Sequence, residues 1–140
     1  MYLLILFRFR KEMKYSPPHQ VRSPRGFAKQ VTPLYDGDVE GYSIAILENS
    51  DGYKNIGIRW NVSEKESEDP RKIDEGVKCV GMPQSRGYSV WFILPDATWQ
   101  FIPQMIKEEI NVRGKQNFLN ISEAQIQEEV ARIIEERDQD

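Results

Sequence analysis

At 140 residues and 39% apolar, the chain amounts to one domain, with part of it lying outside a modest core. A net charge of −3 excludes a uniformly basic nucleic-acid coat, so any phosphate contact has to be local. A single cysteine, Cys79, excludes an intrachain disulfide and a multi-cysteine zinc site, and fits a reducing, cytoplasmic setting.

The chain opens on Met1–Phe7, an uncharged run too short for a signal core or a membrane span, so no membrane association is expected. Two readings stand for residues 2–9: an edge strand, or sequence upstream of a start at Met13. Seven bases follow (Arg8, Arg10, Lys11, Lys14, Arg22, Arg25, Lys29) against one acid, Glu12, giving +6 there and −9 over residues 30–140. Pro17, Pro18, Pro24 and Pro33 fix φ and remove donors, so residues 1–30 read as an extended arm before a domain over 31–140. The arm is either packed across that domain or mobile.

Aromatics interleave with those bases. Bases release counterions from phosphate, and aromatic faces stack on unpaired bases. Arg8, Arg10, Lys11, Lys14, Arg22, Arg25, Phe27 and Lys29 are therefore candidate contacts for a single-stranded nucleic acid. The competing reading is a basic strand lying on the protein's own acidic surface.

Asp36-Gly-Asp38-Val-Glu40-Gly41 has the alternating oxygens of a calcium loop, but its twelfth position is Leu47 instead of glutamate. A polar turn is the preferred reading, with a metal site at Asp36, Asp38 and Glu40 as the alternative. Two strands are predicted at 42–48 and 56–62, joined by the Asn49-Ser-Asp-Gly52 turn. In the second strand Ile56, Ile58, Trp60 and Val62 share one face, while Gly57, Arg59 and Asn61 form an open one. An exposed Trp60 beside Arg59 would make that face a binding platform.

Residues 63–76 form an acidic loop. Strands at 77–82 and 88–94 then read as a second hairpin, the latter apolar enough to be central. Between them, Ser85 and Arg86 form a candidate anion-binding turn. Pairing Ser85 with the only histidine, His19, would require the arm to fold over this turn. Asp96 is placed to cap a short helix that Pro103 kinks. Ser122 and Gln125 have capping-box spacing, and Ile126, Val130, Ile133 and Ile134 form the stripe of a C-terminal helix.

The fold class is thus α+β: a four- or five-stranded, mainly antiparallel sheet built from two hairpins, with both helices on one face. No phosphate-cradling glycine loop or nucleophile elbow occurs. The reading is a small non-enzymatic binding protein without a cofactor. It would act through its arm and open sheet face on a protein or a single-stranded nucleic acid. Two alternatives remain: a metal-dependent phosphoesterase using Asp36, Asp38 and Glu40, or a structural subunit self-associating through the C-terminal stripe.

Overall fold

The computed structural model describes residues 13–114 and 119–139. The strand considered at 2–9 and the bases Arg8, Arg10 and Lys11 lie outside the described residues. The molecule is α+β. Its main sheet is antiparallel, in the order β1 (Gln30–Asp36), β2 (Tyr42–Glu48), β3 (Lys54–Trp60), β6 (Phe92–Ile93). A small separate hairpin pairs β4 (Gln84–Ser85) with β5 (Tyr88–Ser89), and the helices are α1 (Pro70–Ile73), α2 (Ile102–Arg113) and α3 (Glu123–Asp138).

Local chemistry fixes the β2–β3 hairpin. The Asn49 side-chain oxygen accepts from the Asp51 and Tyr53 N–H groups, both at 2.9 Å, and Gly52 supplies the left-handed φ of +82°. Pro33 lies in the edge strand β1, where a missing donor is tolerated, and the β1–β2 register slips between Pro33 and Tyr35.

One face of the sheet carries α2 and α3. Ile44, Ile46 and Ile56 pack there against Trp99, Ile102 and Ile106, and against Ile126, Val130 and Ile133 of α3. The capping box of α3 forms as its spacing predicts. Ser122 Oγ accepts from Gln125 N–H at 3.2 Å, and Gln125 Oε1 accepts from Ser122 N–H at 2.8 Å. Most of the apolar stripe is consumed inside the molecule, so it is not a free surface for a second copy. Asp96 does not cap: Pro95 takes the N-cap position, and Asp96 pairs with Arg137 at 2.6 Å instead. Pro103 falls in the first turn of α2, where its missing N–H costs nothing, and the break comes earlier, at the Asp96–Phe101 3-10 helix.

The expected second hairpin dissolves. Residues 77–82 make only isolated bridges, Tyr15 with Cys79 and Trp60 with Met82. Residues 88–94 divide between β5 and β6, and β6 is the edge of the sheet, with Phe92 57% exposed. The strand buried on both faces is β2. The apolar run misleads because its residues serve different partners: Trp91 turns into one face of the sheet while Phe92 points to the other.

The second face is covered by the arm. Val21 and Ala28 pack with Ala45, Leu47 and Trp91. The Trp91 indole N–H donates to Val21 O at 2.7 Å, and its backbone N–H donates to Ser23 O at 2.9 Å. Gly57 makes room for that ring, since a Cβ there would come within 3.0 Å of Trp91 Cβ. The face bearing Gly57, Arg59 and Asn61 is therefore not open.

Candidate functional site

Arg59 follows from that closure. It is 2% exposed, and its guanidinium donates to the carbonyls of Val80 and Val90, with a longer bond of 3.4 Å to Pro83 O. Its Nε has no partner among the described residues. Burial lowers its pKa to about 10, which still leaves it cationic at neutral pH. The Glu66 carboxylate grips the same loop from its other side, accepting from Val80 N–H at 2.7 Å and Gly81 N–H at 2.8 Å. Arg59 is thus an internal strut that shapes the 80–90 loop. It is not a ligand-facing residue.

Asp36 is also internal. Its carboxylate accepts from the Tyr15 hydroxyl, from Asp38 N–H at 3.0 Å and from Asn61 Nδ2 at 3.1 Å, and Ser43 Oγ donates onward to Asn61 Oδ1 at 2.7 Å. Burial raises its pKa, partly offset by those donors. Asp38 Oδ1 faces Val39 N–H at 2.9 Å, while Glu40 is exposed. The three acids do not converge, and no metal-binding group of histidine, cysteine, aspartate or glutamate occurs among the described residues. Cys79 is buried, and burial together with the Glu66 charge pushes its thiol up to about 11, so it is not a thiolate at neutral pH.

What the fold does assemble is a groove of about 330 Å³ between the arm and the β4–β5 hairpin. One wall is arm residues 20–23 with Ser16. The floor is 78–80, and the other wall is 87–89. Its exposed side chains include Arg22, Lys78 and Tyr88, and among the described residues no aspartate or glutamate lines it. Arg22 is steadied by a bond from Nη1 to Lys29 O. Lys78 is held through its carbonyl, which accepts from Lys72 Nζ at 2.6 Å. The hairpin itself turns through Arg86 and Gly87, both at positive φ (51° and 82°), the geometry of a two-residue turn that matches strand twist.

Of the residues singled out by sequence, Arg22 lines the groove, and Ser85 and Arg86 stand exposed on the hairpin that walls it. Lys14, Arg25, Phe27 and Lys29 are exposed on the arm but line no part of it, and His19 is likewise absent from its walls. Lys78 and Tyr88 were missed. The signal for Tyr88 was its place directly after the Arg-Gly turn, which puts it opposite Ser85 at a hairpin tip instead of in a buried strand. Trp60 is exposed, as the platform idea required, and Arg59 also lines the cavity it shares with Ile58, Met82 and Phe92, but the Arg59 guanidinium is spent on the carbonyls of Val80 and Val90.

No helix among the described residues is long and apolar enough to cross a membrane. Comparison with known proteins finds no matching family model, no curated protein and no solved structure.

Proposed function

We propose that this protein is a non-enzymatic binding module that holds a single-stranded nucleic acid in the groove between its arm and the β4–β5 hairpin. The reading rests on one observation: an acidic chain presents a groove that no acid lines among the described residues, with exposed Arg22 in its wall and Lys78 in its floor. Arg86 is exposed on the hairpin that walls the groove, and Arg25 is exposed on the arm. Phosphates neutralised there would release counterions, which is a sufficient driving force without any catalytic group. A cytoplasmic setting, where Cys79 stays reduced, suits such a role.

The test is binding of a fluorescent single-stranded oligonucleotide across a salt series. Four engaged bases give a slope of log affinity against log salt of about −3. Replacing Arg22 and Lys78 together with alanine should flatten that slope by about 1.4. No binding at low salt, or a slope indifferent to the double substitution, would overturn the reading. It would then return the partner to the class of proteins.

A further inference from the structure

The groove contains an aromatic side chain with no structural duty in the core. Tyr88 is 72% exposed and lines the groove together with Arg22 and Lys78. Both of its chain neighbours are tied down. Gly87 N–H donates to Gln84 Oε1 at 2.8 Å, and Ser89 Oγ donates to Val80 O at 2.7 Å. A ring on such a mount has two torsions left to lose, so ordering it against a ligand costs little. The walls bring positive charge to the same space, which suits the repeat of a single strand: phosphates on the rim and an unpaired base inside.

We propose that Tyr88 is the base-stacking platform of this site, the feature that selects an unpaired base over a base sealed in a duplex. The inference rests on the nucleic-acid reading above and assigns the part of the ligand that the bases cannot recognise. Phe27, the aromatic suggested by the arm's composition, does not line the groove. Trp60 and Phe92 lie on the helix-bearing face of the sheet, opposite the face the arm covers. Among the described residues, Tyr88 is the exposed aromatic that lines this groove with Arg22 of the arm.

The experiment uses the full chain and three probes: a single-stranded oligonucleotide, an abasic strand of equal length, and a duplex. Tyr88→Ala should weaken single-strand binding about 5- to 150-fold, the range for loss of one stacked base, with the salt slope unchanged. Tyr88→Leu keeps apolar bulk at the hairpin but lacks the π face, and should lose affinity similarly. Tyr88→Phe should stay close to wild type. The abasic strand and the duplex should not distinguish wild type from Tyr88→Ala.

Wild-type binding with its full salt slope and no loss in Tyr88→Ala or Tyr88→Leu would overturn the stacking role while leaving the binding function standing. So would a loss that Tyr88→Phe shares, or one that flattens the salt slope, since either would mean the residue acts on backbone contacts. A wild-type chain that binds no single strand would remove both proposals together.

Discussion

The two faces of the sheet are both covered, the helix-bearing one except where Trp60 and Phe92 stand exposed, but by different physics. The helix-bearing face is an apolar contact of isoleucines from two strands and two helices around Trp99, with Leu34 and Tyr35 added from β1. The arm-bearing face is half apolar, at Ala45, Leu47 and Trp91, and half polar, at Asp36, Ser43, Arg59 and Asn61. Regular helices satisfy their own backbone and need only bury a stripe. Irregular segments cannot, so the second face uses buried polar side chains to satisfy the N–H and C=O groups of the straps that cover it. The first face provides stability. The second also positions the walls of the groove.

The largest effect should come from the first face. Trp99 is fully buried, its indole N–H reaches Leu94 O at 3.3 Å, and the Arg137 guanidinium lies 4.7 Å over its ring. Trp99→Ala should cost about 3–5 kcal/mol, read as a lower denaturant midpoint for the whole molecule. A cost below about 1 kcal/mol would mean that the site collapses without penalty and that this face is not the main source of stability.

Arg59→Leu tests the second face. It keeps apolar bulk but orphans the carbonyl of Val90 and leaves Val80 O with Ser89 Oγ alone, at about 1–3 kcal/mol for a buried group left unpaired. Removing the charge also removes its own desolvation penalty, so the net loss should be smaller than for Trp99, about 2 kcal/mol. The distinguishing readout is locality. Limited proteolysis should open at 80–90 before the helices yield, and a variant cleaved uniformly along the chain would contradict the strut.

This contrast explains what could be read from the sequence. The first face was legible because period-2 and period-3.6 patterns are written in single residues: Ile56 and Ile58 on a strand, Ile126, Val130 and Ile133 on a helix, Ser122 at its cap. The second face was not. Arg59 alternates with Ile58 and Trp60, and alternation alone cannot distinguish water from a strap laid over the strand. What closes that face is the arm, through backbone acceptors such as Val21 O and Ser23 O that no side-chain pattern announces. The groove was half legible for the same reason. Arg22 stood out by composition, whereas Lys78 and Tyr88 depended on how two irregular segments meet.

The smallest and most local effect is the response of the second face to acid. Glu66 binds through both oxygens. Oε1 accepts from Ser63 N–H at 3.1 Å and Gly81 N–H at 2.8 Å, while Oε2 takes Val80 N–H at 2.7 Å and Lys72 Nζ at 3.0 Å. Burial by itself would raise its pKa, but the backbone donors and Lys72 outweigh burial and hold it below the ordinary value of 4.5. A carboxylate depressed on folding contributes stability at pH above its unfolded pKa, and that contribution is lost as pH falls through the folded pKa. Asp36, raised by burial, has the opposite sign: its protonated form is favoured by the fold, so acidification relieves it. Hydrogen exchange should therefore show the Val80 and Gly81 amides losing protection as pH falls below about 4.5, while the α3 amides keep theirs. Glu66→Gln has one acceptor oxygen in place of two, so it should start with weaker protection at those amides and lose the acid dependence. Identical pH profiles for the variant and the wild type would show that the loop is held by Arg59 alone, and the second face would then depend on one buried charge instead of two.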